Sequence, residues 1–269
     1  MTTARVVLSL AEVVLAARLA GDLPLPFARP APGAGRLAAR LAGTRPHRAE
    51  EVLDAELARV EDAGPDGAAA TLVRRGLLDG DGVDARLATA LRLLALAPVA
   101  AVLDVVVSAD RGDRPLRAWW AVGEGRLSGL VLRGATTLEV VSAPVEAWVA
   151  ELARLVPVGS GDPPSGAVTV TSEALLGAIS AHRRGRPDLV ATLAPGEADL
   201  LHALAGRCRG RLRLLVLRRH AAPPPAVTVW VLLDDGWRSL RPLRGARVEV
   251  AHRRPPELGL ASYASVRAA

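Results

Sequence analysis

The chain has 269 residues, half of them apolar, with 34 basic and 28 acidic residues and a formal net charge of +6. The apolar content excludes a disordered chain, a single cysteine excludes a disulfide-stapled scaffold, and irregular glycine positions exclude collagen. Every basic residue is arginine, a composition typical of a GC-rich genome, and the surplus is local: residues 1–150 carry a net charge of −1 and residues 151–269 of +7.

Neither long apolar stretch is predicted to cross a membrane. The run 6–20 contains two charged residues, and the run 93–107 is interrupted by Pro98 and Asp104. Both fall short of the roughly 20 consecutive apolar residues that a span requires. We therefore expect a protein of the cytoplasm without membrane insertion, in a reducing compartment that suits a lone thiol.

The first third of the chain is predicted to be mainly helical. Apolar residues recur at helical spacing over 10–19, with Ser9 as a possible N-cap, and again within 49–76 and 84–97. Residues 22–46, between the first two of these helical segments, are rich in proline and glycine. This segment is therefore predicted to run extended over other structure.

From Val99 the apolar period changes to two, which indicates strands. Glycine-rich turn signals separate four such segments, and this pattern predicts an antiparallel meander. The predicted strands are 102–107, 116–122, 126–132 and 136–141, and a helix is predicted to begin at Pro144.

The same plan is predicted again after a Pro/Gly/Ser linker over 159–166. Its predicted helices are 172–182, 195–206 and 255–267, and its predicted strands are 212–217, 227–233, 238–243 and 247–250.

The two meanders align when the first is shifted by 111 positions without a gap. This shift places Trp119 on Trp230, an aromatic position that suits a core. Two half-repeats, roughly 84–157 and 195–268, cannot each bury both faces of a sheet. They predict a single domain over 1–269 with one sheet and a pseudo-two-fold axis.

Several short motifs resemble one protein family. They are Leu8-Ser9-Leu10-Ala11-Glu12, Leu23-Pro24-Leu25-Pro26-Phe27, the segment 72–79 followed by 83–94, the tryptophan pair of the second strand, Leu155-Val156-Pro157, and the strand and turn over 230–236. With these motifs the chain resembles the EspG family, the cytosolic chaperones dedicated to type VII (ESX) secretion.

The resemblance implies an α+β fold, a single antiparallel sheet with pseudo-two-fold symmetry flanked by two helical bundles. It implies a chaperone, not an enzyme, that holds a PE/PPE-like secretion substrate soluble before export and uses no cofactor. Whether the chain is a monomer or a dimer is left open.

The resemblance also implies where the partner binds, since EspG-family proteins contact their partner through the sheet, the loop after its first long strands and the C-terminal helical bundle. In this chain those regions correspond approximately to residues 110–119 and 195–204. Together with the arginine pattern they suggest these partner-binding residues: Arg111, Arg114, Leu116, Trp119, Leu193, Leu200, Leu204, Arg209, Arg211 and Arg213.

No catalytic or metal-binding pattern is readable. The five histidines are scattered and expected to be solvated, and Cys208 has no second cysteine at metal-ligand spacing. The glycines around Glu124 join strand to strand, which predicts a hairpin turn instead of a dinucleotide loop. Asp84 is better explained as a helix cap than as part of a calcium loop.

Arginine is concentrated over 207–254, a segment with 12 arginines, three acidic residues and a net charge of +9. Alternation of Arg209, Arg211 and Arg213 places three guanidinium groups on one side of a strand. Such a surface suits an acidic protein or phosphates, so a nucleic-acid-binding protein is the alternative function. Proteins that bind single-stranded nucleic acids stack bases on aromatic side chains, and residues 207–219 contain none. The sequence therefore favours the chaperone over the nucleic-acid-binding protein, and no nucleic-acid partner is expected.

Overall fold

The computed structural model describes residues 2–27, 53, 55–60, 66–80, 82–109, 112–134, 136–157, 166–193, 195–218 and 226–267. The elements of the first half are β1 (Ala4–Ser9), α1 (Leu10–Leu19), α2 (Asp66–Arg74), β2 (Leu78–Asp79), β3 (Gly82–Val83), α3 (Ala85–Leu96), β4 (Val99–Ala109), β5 (Gly112–Gly123), β6 (Arg126–Leu132), β7 (Thr137–Pro144) and α4 (Trp148–Leu155). Residues 55–60 are also helical, and a 3-10 turn over Val145–Ala147 precedes α4.

Residues 158–165, which include most of the predicted linker, lie outside the described residues. The second half of the structure follows them. Its elements are β8 (Ala167–Thr171), α5 (Ser172–Arg183), α6 (Leu189–Leu193), α7 (Ala198–Gly206), β9 (Gly210–Arg218), β10 (Ala226–Leu233), β11 (Gly236–Leu243), β12 (Arg247–Arg253) and α8 (Pro255–Arg267). The predicted extended segment 22–46 is described only as far as residue 27.

Helix starts are fixed by side chains that accept backbone hydrogen bonds. Ser9 and Glu12 form a capping box at α1, since each side chain accepts from the other's backbone N–H, at 3.2 and 2.7 Å. Asp84 caps α3 by accepting from two backbone N–H groups, and Thr171 caps α5. The predicted roles of Ser9 and Asp84 are confirmed.

Within the described residues, ten strands form one antiparallel sheet in the order β1-β7-β6-β5-β4-β9-β10-β11-β12-β8. This order is symmetric about the β4–β9 pair: each half is a four-stranded meander, and the strand that begins the half lies at its outer edge. Leu103 of β4 pairs with Leu214 of β9, and both are fully buried. The fold is α+β, with the predicted single sheet and pseudo-two-fold symmetry.

The edge strands β1 and β8 were missing from the predicted elements. Both are short, and each leads directly into a capped helix. They extend the two meanders to five strands each.

The gap-free alignment of the meanders is wrong beyond β4 and β9. Ala101 pairs with Trp120, and its counterpart Leu212 pairs with Trp230, so Trp230 corresponds to Trp120 and not to Trp119. A slip of one residue moves a side chain to the other face of a sheet. Trp120 and Trp230 accordingly share one core, whereas Trp119 lies in another.

Two helical layers cover the sheet. Helices α4 and α8 pack against each other on one side, named here the covered face, and Gly259 allows their close approach because a Cβ there would lie 2.6 Å from Val149 Cα. On the other side, a first bundle (α1, α2 and α3) covers β5, β6, β7 and β1, and a second bundle (α5, α6 and α7) covers β10, β11, β12 and β8.

A buried ion network fastens the covered face of the first half. Glu139 on β7 and Glu151 on α4 are 6% and 3% exposed. Glu139 accepts from Arg133 at 2.6 Å and pairs with Arg154 at 3.0 Å, and Arg5 of β1 contacts both glutamates. Burial raises the pKa of Glu139, but the hydrogen bond from Arg133 and the charges of Arg154 and Arg133 outweigh burial, so its pKa is lowered.

In the described part of the chain, no helix combines the length and apolar character needed to cross a membrane.

Candidate partner-binding face

The centre of the sheet between the two bundles carries neither of them. This open face consists of the side chains of β4 and β9 that point away from α4 and α8, together with the adjoining residues Asp113, Pro115, Arg117, Val227 and Val229 of β5 and β10. Five of its valine and leucine residues are half-buried or exposed and belong to none of the three apolar cores: Val106, Leu215, Leu217, Val227 and Val229. Val227 is 55% exposed. Leu215, Leu217 and Val227 adjoin one another across β9 and β10, and an exposed apolar surface of this kind is typical of a binding site.

An ion cluster lies in the middle of the open face. Asp104 is directly opposite Arg117 on one neighbouring strand and Arg213 on the other. Its two carboxylate oxygens contact Arg117 Nε at 3.4 Å and Arg213 Nη2 at 3.1 Å. Directly opposed side chains on neighbouring strands are close enough for such pairs. The cluster is largely shielded, since Asp104 and Arg117 are 17% and 14% exposed.

An aromatic contact extends the cluster to the first bundle. The Arg117 guanidinium carbon lies 5.3 Å from the centroid of the Trp119 ring, within the range of a cation–π interaction. Trp119 in turn packs against Phe27, with ring centroids 5.5 Å apart. A chain of contacts therefore runs from the segment after α1 to the central strands.

The structure divides the predicted partner-binding residues of β5 between the two faces. Trp119 lies on the side of the first bundle and is 4% exposed, so its ring is a core residue. Leu116 lies on the covered face, half-buried against the core beneath α4 and α8, and exposed Arg114 shares that side. Arg111 lies outside the described residues.

The predicted residues of the second bundle pack largely within the bundle. Leu204 of α7 is 7% exposed and belongs to its core, and Leu200 is half-buried against the same core. Leu193 is the last residue of α6, and its side chain lies outside the described part.

The arginines of β9 follow the predicted alternation. Arg211 is exposed and Arg213 half-buried on the open face, while Leu212 and Leu214 are buried on the covered face. Arg209 precedes the strand and pairs with Asp234. Within the described part, Arg211 has no carboxylate partner, whereas Arg213 is bound to Asp104.

Ion pairs neutralise much of the arginine-rich segment 207–254. Six of its arginines pair with carboxylates: Arg209, Arg213, Arg238, Arg241, Arg253 and Arg254. The pair between Arg241 and Glu249, 2.7 Å apart, lowers the pKa of that carboxyl. A phosphate backbone would have to compete with these carboxylates for the same guanidinium groups.

Sequence reasoning missed two features of the described structure. Asp104 and Arg117 did not stand out as site residues, because their pairing depends on strand register and no short motif encodes it. His182 and His202 were expected to be solvated, yet they are half-buried, with Nε2 and Nδ1 3.0 Å apart. Among the described residues, no three side chains form a metal-binding group.

Comparisons with known proteins identify a shared fold. No family model matches the chain, and no curated protein matches it. The structure of the Mycobacterium tuberculosis type VII secretion system chaperone EspG5, in complex with a PE25-PPE41 dimer, matches with a TM-score of 0.63 and 14% identity. The match covers 98% of this chain and 96% of that chain. HtdX from the same organism is 12% identical with a TM-score of 0.15, too low to indicate a common fold.

Proposed function

We propose that this chain is a chaperone that binds a PE/PPE-like pair of type VII secretion proteins and keeps it soluble before export. The observation that carries the proposal is the open face, a surface with apolar residues in the centre of a fold that is shared with EspG5 over nearly the whole chain. The fold matches a chaperone of known partners, and the open face supplies a surface on which a partner could rest.

The open face is suited to binding a protein and not to catalysis. A half-buried apolar surface around a shielded ion cluster can cover an aggregation-prone apolar surface of another protein, because burial of both surfaces removes them from water. A protein used in this way requires no cofactor, and we place it in the cytoplasm as a single domain over 1–269 with the half-repeats 84–157 and 195–268.

Arg114 is proposed to assist this binding from the covered side, and Arg111, which lies outside the described residues, is proposed to assist with it. Arg114 is exposed near the β4–β5 hairpin, and Arg111 precedes it in the chain. Arg114 would contact acidic groups of a partner that reaches around the end of the sheet.

Co-expression with a PE/PPE-like pair encoded near the chain, followed by size-exclusion chromatography with light scattering, tests the proposal. A soluble one-to-one-to-one complex is expected, together with loss of the pair to the pellet when the chain is omitted. A pair that is equally soluble alone and never co-elutes would refute the proposal. High-affinity binding to DNA or RNA that persists at elevated salt, with no protein partner, would favour the nucleic-acid alternative.

A further inference from the structure

The open face is chemically different on the two sides of the pseudo-two-fold axis, which passes through the Leu103–Leu214 pair. Toward the β4–β5 hairpin, one row across the sheet reads Arg117, Asp104, Arg213 and Val229. On the other side of the axis, the equivalent row reads Trp119, Val102, Leu215 and Val227. The first row begins a polar half and the second an apolar half.

The next row on each side continues this difference. Exposed Arg211 lies beyond Arg213 in the polar half, opposite Val106, whereas Leu217 lies opposite Ala100 in the apolar half. With Asp113 at the hairpin, the polar half holds three arginines and two aspartates, a net charge of +1. The corresponding described positions of the apolar half carry no charged side chain.

The central strands cannot accept an added strand. β4 and β9 are paired along both edges, so their backbone groups are already used in the sheet. A partner must therefore dock through side chains. β4, β9 and the start of β10, with strands about 4.8 Å apart, form a floor about as wide as a helix of about 10 Å diameter.

We infer that the open face binds an amphipathic helix of the partner in one orientation, with a carboxylate toward Arg211 and Arg213 and its apolar residues on Leu215, Leu217 and Val227. This inference rests on the proposed function. In the orientation rotated about the pseudo-two-fold axis, the carboxylate would lie on Ala100 and Val102, the counterparts of Arg211 and Arg213, where it would lose water without gaining a cation. The asymmetry of charge therefore selects one of two orientations that the backbone alone would allow equally.

Charge reversal at Arg211 tests the selection. Arg211→Glu is expected to weaken binding of the PE/PPE-like pair by at least about tenfold and to reduce its salt dependence. The matched control is Arg244→Glu, the same change at an exposed turn residue outside the open face, which should leave binding within about twofold. Both variants should unfold at the same temperature as the wild type.

Crosslinking tests the orientation itself. A photoreactive residue at exposed Pro115 samples the polar half, and one at exposed Val227 samples the apolar half. Each should crosslink to a different, non-overlapping segment of the partner, the segment facing Pro115 being the acidic one. Crosslinks from both positions to the same mixture of segments would overturn the inference.

The possible failures can be told apart. A wild-type chain that captures no PE/PPE-like pair overturns the proposed function and this inference with it. Capture by the wild type that Arg211→Glu and Arg244→Glu affect equally overturns the inference alone. A homodimer of the free chain that Arg211→Glu dissociates would show that a second copy occupies the open face, and would overturn it as well.

Discussion

Gly129 lies directly beneath the Trp120 ring, so adding one methyl group there should destabilise the fold. The two residues pair across β5 and β6. An ideal Cβ on Gly129 would lie 2.3 Å from Trp120 Cζ3 and 2.4 Å from Cε3. Non-bonded carbon atoms prefer separations of about 3.5–4.0 Å, so the ring would have to move by more than about 1 Å.

The ring has little room to move. Trp120 is 1% exposed and packs edge-on against Trp148, with ring centroids 6.2 Å apart. Overfilling a packed core costs typically 1–3 kcal/mol, and a collision with a rigid ring belongs at the upper end. We expect Gly129→Ala to lower the free energy of unfolding by about 3 kcal/mol and the melting temperature by roughly 6 °C or more.

Chemical denaturation with a double-mutant cycle checks this reasoning. In a Trp120→Leu background, Gly129→Ala should cost less than about 1 kcal/mol, a coupling of about 2 kcal/mol. Gly67→Ala is the matched control: no atom lies within 4 Å of its added Cβ, and the residue is helical, so it should stabilise by about 0.5 kcal/mol. Equal costs of Gly129→Ala in both backgrounds would refute the position of the ring over Gly129.

Three further predictions concern caps, tryptophans and the buried network. Ser9→Ala and Thr171→Ala should each cost about 1 kcal/mol by denaturation, because each removes an N-cap; no loss in either would contradict the capping geometry. Trp119→Ala and Trp230→Ala should each cost about 3–5 kcal/mol, and an equally stable variant would show that its ring is not core. Because the pKa of Glu139 is lowered from 4.5, its stabilisation is complete above that value and is lost as pH falls through the folded-state pKa. The stability difference between wild type and Glu139→Gln should therefore shrink between pH 7 and about pH 3, and a constant difference would contradict the ion network.

The meander strands and most helices were predictable because their signals are local. Period-two segments and glycine turns mark the strands, and Ser9 and Asp84 mark helix starts. The edge strands were not predictable in this way. In the first of them, the apolar residues continue into α1 without a turn residue, so strand and helix read as one segment.

The register between the halves could not be read from the sequence alone. The connection from Leu214 to its partner Thr228 is one residue shorter than that from Leu103 to Ala118. Because tryptophans occupy both 119 and 120, a gap-free alignment still places Trp on Trp and hides the slip. The open-face cluster depends on this register, which is why Asp104 and Arg117 were not predicted together.

The corrected register separates positions where the halves agree from positions where they differ. The equivalent buried pairs Leu103/Leu214 and Trp120/Trp230 are identical, and Glu139/Glu249 keep a carboxylate on the same side of the sheet. Packing and pairing constrain those positions in both halves. On the open face the equivalent pairs differ in chemistry, since Arg117 corresponds to Val227 and Asp104 to Leu215.

Nothing in the packing of the sheet requires the two halves of the open face to differ in chemistry. Apolar residues on both sides of the pseudo-two-fold axis would fill the same positions with less buried charge. A shielded aspartate between two arginines contributes little net stability compared with apolar residues of similar volume. We therefore propose that its placement on the open face serves the recognition of a partner. A symmetric floor would accept that partner in two orientations, and we propose that the charged half disfavours one of them.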